Sequence, residues 1–427
     1  MKEMDVPVDK TVLKNGIRIV TKKMPYTRSV SMGVWVNVGA RDETPSESGL
    51  SHFIEHMIFK GTRRRSAFQI AKEFDAIGGQ TNAFTTMENT CYHARVLDTH
   101  TDTMVDILSD IFINSVFDPI EVDKERPVIL QEIGMVEDSP DEYIHVLTGR
   151  NFWGENPLGR SILGTPENIS RFDAHMIKSF FHRLYQPDRI LISAAGNFDH
   201  KRLADLVEPT FETIRSGNGF PQRATPPGRS AVDLNHRELE QMHICLNLKG
   251  LPITDPRRYA FSLLNTILGG NMSSRLFQEI REKRGLAYNV YSYISSHVDT
   301  GMFGVYVGVN PERALETTRL VLDEINKLRK EPVEESELTG AIEFTKGSIL
   351  LASESADNQM VRCAQNELHF GHDISLQTVI EKIEAVGVDD ILELANDLIN
   401  SRQMTLTLLG PIKSNEKKFE DILFQSH

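Results

Sequence analysis

Three side chains within five residues could do chemistry together: His52, Glu55 and His56, inside the run GLSHFIEHMIFKG from Gly49 to Gly61. If that run is a helix, the two histidines lie one turn apart on one face with Glu55 beside them, while Phe53, Ile54, Met57 and Ile58 can face a core. Two imidazoles at that spacing can close on one metal ion. Neutral ring nitrogens suit zinc, and a catalytic zinc keeps three protein ligands and leaves its fourth position to water. The adjacent carboxylate then has a task, taking a proton from that water as it attacks a carbonyl.

H-x-x-E-H is the inverted form of the H-E-x-x-H zinc-peptidase signature. A helix with two exposed histidines would give the same letters, so the reading needs a third ligand from elsewhere. Two candidates stand in ERPVILQEIGMVEDSPDE, where Glu125 and Glu132 are seven residues apart and share a helix face. Spacing alone does not choose between them, and either could be an ordinary solvated acid.

These groups need a scaffold. Residues 17–23 and 30–38 read as strands, the second with Val30, Met32, Val34, Val36 and Val38 on one face and Trp35 and Asn37 on the other. The loop 39–48 leads into the histidine helix, which Gly61 can end, and a helix over 67–77 closes at Gly78 and Gly79. Residues 81–86 and 91–97 form an antiparallel pair in this reading. A long acidic helical stretch follows over 101–138, with a break near Asp118 and Pro119, then helices over 142–152, 174–184 and 200–214 and a strand over 189–196. The segment 216–230, SGNGFPQRATPPGRS, has no periodic apolar pattern and reads as a linker.

Beyond the linker the plan repeats: strand 243–249, helices 257–268 and 273–283, strands 287–295 and 301–309, further helices, and a last strand 404–409. The expected domains are a metal-binding catalytic half over 1–215, the linker 216–230, and a second half of the same fold over 231–427. An ungapped offset of 211 residues sets Gly39 against Gly250 and places Leu263, Thr266 and Ile267 opposite His52, Glu55 and His56. If the halves are structural repeats, only the first can bind zinc.

At 427 residues the chain is too long for one ordinary core. Its 40% hydrophobic and 25% charged residues are those of a globular protein, and no apolar run approaches a membrane span. The charged first twenty residues leave no room for the apolar core of a signal sequence, so the expected location is the cytoplasm. Cys91, Cys245 and Cys363 lack C-x-x-C spacing and are expected to be reduced core residues. A net charge of -13 argues against nucleic acid. Residues 101–150 hold 12 acids against 3 bases, either a solvated face or a wall that attracts basic peptides. Gly269 and Gly270 are not followed by G-K-[ST], which removes a phosphate-cradling loop.

Three segments together carry a family resemblance: GLSHFIEHMIFKGT, ERPVILQEI with Glu132 seventy-six residues after His56, and REKRGLAYNVYS in the second half. TNAFTTMENT and NPLGRSILGTPENI extend it. The chain resembles the pitrilysin-type zinc metallopeptidases, in particular the half-length branch that contains the mitochondrial processing peptidase beta subunit and its bacterial relatives.

The resemblance implies an α+β fold of two similar halves, each a largely antiparallel sheet with flanking helices, facing each other across a chamber. It implies one zinc per chain on His52, His56 and Glu132, Glu55 as general base, and Glu125 as a supporting acid. Arg281 and Tyr288 match the family's pair that reaches the substrate, with the tyrosine steadying the tetrahedral intermediate. It favours an extended peptide substrate added to the edge of the strand carrying Asn82, Ala83, Phe84 and Thr85. It also implies pairing, as a homodimer or with a related subunit. The two functions to be separated are a zinc endopeptidase and an idle peptide-binding or assembly subunit.

Overall fold

A computed structural model describes residues 6–215, 217, 220, 222–227, 229–399, 403–412 and 416–425. Ser216, Asn218, Gly219, Pro221 and Gly228 of the expected linker lie outside the described residues.

The first sheet has six strands: β1 (Val8–Val12), β2 (Arg18–Lys23), β3 (Ser29–Val36), β4 (Gln80–Thr85), β5 (Thr90–Leu97) and β6 (Ile190–Gly196). They lie in the order β1-β2-β6-β3-β5-β4, antiparallel throughout except where β2 runs parallel to β6. The second sheet contains β7 (Ala231–His236), β8 (Met242–Gly250), β9 (Ala287–Ser296), β10 (Gly301–Val309) and β11 (Met404–Gly410). Its order is β7-β11-β8-β10-β9, again with one parallel pair, β7 with β11. With β1 set aside, the two orders are the same, strand for strand. The repeat inferred from the sequence is therefore a repeat of topology, and the fold is α+β.

The first-half helices that matter most are α1 (Leu50–Met57), α2 (Ala67–Ala76), α3 (Thr101–Asn114), α4 (Pro119–Asp138) and α5 (Pro140–Trp153). Val30, Met32 and Val34 of β3 are buried in one core with Phe53 of α1 and Phe112 of α3, on the face that the alternation of β3 predicts. Among the described residues no helix is long and apolar enough to cross a membrane. All three cysteines are buried and free, as their surroundings suggested.

The compact units are not the two sequential halves. One consists of residues 1–134, 160–223 and 350–375, the other of 135–159, 224–349 and 376–427, so the change of unit falls inside α4. Each half of the sequence lends a helix to the other's sheet. In the first unit the helix Ala356–Phe370 lies on β6, β3 and β2, and in the second α5 lies on β11 and β8. The physical reason is a second apolar face on each sheet. In the first, Val20, Trp35, Cys91 and Leu191 are buried under Met360, Cys363 and Ala364. In the second, Cys245, Tyr306 and Leu409 are buried under Ile144 and Leu147.

Met360 is the centre of the first of these contacts. The Trp35 indole N–H points at its sulfur at 3.4 Å, and the Ser193 hydroxyl donates to its carbonyl at 2.7 Å. Gly33 permits this approach, since a Cβ there would lie 2.9 Å from the Met360 sulfur and 2.8 Å from the Trp35 nitrogen. Met360→Ala should cost about 2–5 kcal/mol of stability, as expected for a buried methionine truncated in a packed core. Urea unfolding followed by tryptophan fluorescence would show the loss as a lowered midpoint.

Candidate metal centre

The histidine helix is short and its ends are fixed by other segments. Gly49, at its N-terminus, has φ 103°, and a Cβ there would meet Ile169 at 2.8 Å and the Leu163 carbonyl at 2.9 Å, so both conformation and space require glycine. The Glu43 carboxyl group, whose pKa burial pushes up to about 8, accepts the backbone N–H groups of Gly49 (2.8 Å) and Ser51 (2.7 Å), capping the helix from outside its own turn. Beyond the other end, Thr62 donates to Asp110 at 2.8 Å, and the buried Arg65 pairs with Asp110 (2.8 Å), Glu73 (2.9 Å) and Asp106. Between these ends Leu50, Phe53, Ile54 and Met57 are buried.

With the helix fixed, His52 and His56 present their rings to one point, 4.7 Å apart between centroids. Glu132 comes to that point from α4, its Oε2 standing 3.6 Å from His52 Nε2 and 3.5 Å from His56 Nε2. Donors bound to a tetrahedral zinc at about 2.0–2.1 Å would lie about 3.4 Å from one another. The residues therefore fit zinc, with two imidazole nitrogens and one carboxylate oxygen as the donor set.

Glu125, two turns before Glu132 on α4, takes a different place. Its Oε1 accepts from His56 Nδ1 at 2.8 Å and its Oε2 is 2.6 Å from Lys60 Nζ. One glutamate thus faces the Nε2 atoms of both histidines, the other the back of one imidazole. Glu55 lies beside the donors, with its Oε2 accepting from the Thr85 hydroxyl at 2.5 Å.

Burial pushes the Glu55 carboxyl upward, against the Thr85 hydrogen bond and the charge of His56. Burial and the neighbouring His56 drive His52 down to about 4, which keeps it neutral and able to ligate. His56 moves the other way. Burial opposes its charge, but the hydrogen bond and charge of Glu125, with Glu132 and Glu55, outweigh burial and raise it.

The expected substrate strand is β4, at the edge of its sheet with β5 as its neighbour. Its residues divide between the faces. Ala83 packs toward the core that holds α1 and Thr85 reaches Glu55, whereas Phe84 packs on Trp35 at 5.4 Å and Asn82 is exposed. In the second unit, Arg281 and Tyr288 are neighbours. The Arg281 guanidinium lies 4.5 Å from the Tyr288 ring centroid and donates to the Tyr288 carbonyl at 3.1 Å, while Tyr288 is 73% exposed on β9.

At the equivalent of the histidine helix in the second unit, the helix Arg258–Asn265 continues into a wider π turn over Thr266–Gly270, and Leu263, Thr266 and Ile267 are buried. No metal donor stands at these three positions. Lys60, Glu43 and the contact of Thr85 with Glu55 went unread in the sequence. Only Lys60 carried a signal, its place inside the run that holds the histidines.

Glu43→Ala should cost about 2–4 kcal/mol, because two buried N–H donors lose their acceptor. Urea unfolding of the zinc-free protein would measure this without interference from the metal.

Residues 18–166 match the family described as insulinase (peptidase family M16), and residues 171–344 match the peptidase M16 inactive domain. That second description accords with the lost donors at Leu263, Thr266 and Ile267. An uncharacterized zinc protease of Streptomyces coelicolor is 40% identical over 417 residues, covering 96% of this chain and 91% of that protein. One of Bacillus subtilis is 40% identical over 398 residues, covering 93% and 97%. The fold is shared with a protease from Helicobacter pylori, at TM-score 0.88 and 22% identity over 95% of this chain and 100% of that one. It is shared equally with a peptidase M16 inactive domain from Pseudomonas fluorescens, at TM-score 0.88 and 18% identity, covering 96% and 98%. With both segments in order along one chain, and relatives of matching length named zinc proteases, the chain belongs to peptidase family M16, the insulinase or pitrilysin type, in its half-length form.

Proposed function

We propose that the protein is a zinc-dependent endopeptidase, with one zinc per chain on His52, His56 and Glu132, that cleaves extended peptides or unfolded segments inside an enclosed chamber. The observation that carries the reading is the convergence of those three donors at 3.5–3.6 Å with a half-buried carboxylate, Glu55, alongside. Zinc bound there would polarise the scissile carbonyl and lower the pKa of its water.

The remaining steps belong to the chain's own side chains. Thr85 holds one oxygen of Glu55, which leaves the other to accept the proton of the attacking water and return it to the departing amine. The edge of β4 supplies main-chain donors and acceptors that an extended peptide can pair with regardless of its sequence. Arg281 and Tyr288 contact the substrate, the tyrosine hydroxyl steadying the developing oxyanion. On this reading the enzyme is cytoplasmic and homodimeric, and the acidic stretch 101–150 makes basic peptides the first substrates to try.

Glu55→Gln should keep its zinc and lose cleavage of a quenched-peptide library by roughly a hundredfold or more. Full activity in that variant would sink the mechanism. Zinc-loaded wild-type protein that binds peptides without cutting them would instead point to an idle peptide-binding or assembly subunit.

Zinc affinity should also depend on pH in a definite direction. His52 stays neutral across the neutral range, whereas His56, with its raised pKa, takes up a proton first as pH falls. A ligand must be deprotonated to bind, so affinity should drop roughly tenfold per pH unit below the His56 value, one proton displaced per zinc. Titration against a competing chelator between pH 5 and 8 measures the slope, and a flat profile would overturn the displacement of a proton from His56.

A further inference from the structure

The zinc reading leaves Lys60 without a role, although it stands in the same run as both histidines, four residues after His56 as His56 is four after His52. Its ammonium is 2.6 Å from Glu125 Oε2, and the opposite oxygen of that carboxylate holds His56 Nδ1 at 2.8 Å. Glu125 is nearly closed off from solvent, with its side chain 8% exposed, so each oxygen depends on the protein for a partner. Its two oxygens are divided, one to each neighbour.

The other imidazole has no such support. Among the described residues His52 Nδ1 is buried without a hydrogen-bond partner, so packing alone orients that ring. The metal site is thus lopsided, with His56 the histidine whose ring is held from behind. Such hydrogen bonds behind a ligating histidine fix its tautomer and orientation, and their loss commonly weakens metal binding about tenfold to a hundredfold.

Lys60 is itself placed from both sides. Its backbone N–H bonds to the Met57 carbonyl at 3.1 Å, and past Gly61 the chain is tied down by Arg63 N–H on the Asn114 carbonyl at 3.2 Å and by Thr62 on Asp110 at 2.8 Å. Gly61 has φ 127°, a conformation that turns the chain at once after Lys60.

We propose that Lys60 is a positioning residue for the metal: by holding one oxygen of Glu125 it aims the other at His56 Nδ1, which in turn directs His56 Nε2 at the zinc. Lys60 touches neither substrate nor metal, and its effect passes through Glu125. The inference rests on the zinc site proposed above but makes no use of the peptidase step.

The test is a double-mutant cycle read by zinc affinity, measured by competition with a chromogenic chelator on full-length protein. Lys60→Met should weaken zinc binding about tenfold or more, while Lys60→Arg, which keeps a charged donor, should restore most of it. In a Glu125→Gln background the same Lys60→Met change should have no further effect. Lys60→Gln serves as a second probe where Lys60→Met does not fold, and thermal unfolding of the zinc-free variants checks that each does. Unchanged affinity in the folded Lys60 variants, or losses that multiply with Glu125→Gln, would overturn the proposal. Wild-type protein that binds no zinc would overturn both this inference and the function it rests on, whereas tight zinc without peptide cleavage would leave this inference supported and remove only the peptidase.

Discussion

An isolated helix of eight residues does not persist in water, because nucleation is unfavourable and too few bonds follow it. Yet α1, with eight residues, must present two imidazoles to a common point within a few tenths of an ångström. Everything around it answers that requirement. Four buried apolar residues press it into the core, and Glu43 takes up the N–H groups that its first turn leaves open. The turn after Gly61 is pinned to α3 through Arg65 and Asp110. The metal donors are accurate because the helix that carries two of them has almost no freedom of its own.

The two units show how little of a fold has to change for chemistry to be lost. Both sheets have the same strand order, the same single parallel pair and a helix in the same place after the strand equivalent to β3. In the second unit leucine, threonine and isoleucine stand at the positions that an offset of 211 residues sets against His52, Glu55 and His56, and the helix runs on into a π turn. The buried side chains there offer no imidazole or carboxylate to hold an ion. What the second unit keeps is an edge strand, β9, with Tyr288 exposed near its start.

Much of this was legible in the residues themselves. The helix-spaced His52 and His56 pointed to a metal, the two glutamates read as sharing one helix do stand together on α4, and the repeat emerged from the order of elements. Three things were not legible, each for a physical reason. Strands β1 and β7 are short edge strands, VDKTV and AVDLNH, whose partly exposed residues give weak alternation. The exchange of α5 and the helix Ala356–Phe370 was hidden because an apolar helix face records that it is covered, not which sheet covers it. Finally, Lys60 and Thr85 act through hydrogen bonds to Glu125 and Glu55 that join segments 65 and 30 residues apart, and no local periodicity reports such pairs.

The lent helix also sets an order of events at the ribosome. Every other part of the first unit has been made once Arg223 is in place, but the helix that covers Trp35 ends only at Phe370. At 5–20 residues per second, the intervening stretch of about 150 residues takes roughly seven to thirty seconds to synthesise. Through that interval the sheet that carries the metal site stands with one apolar face uncovered. The nascent chain is then most in need of a chaperone, and a truncation anywhere before the borrowed helix would yield a sticky sheet rather than a smaller enzyme.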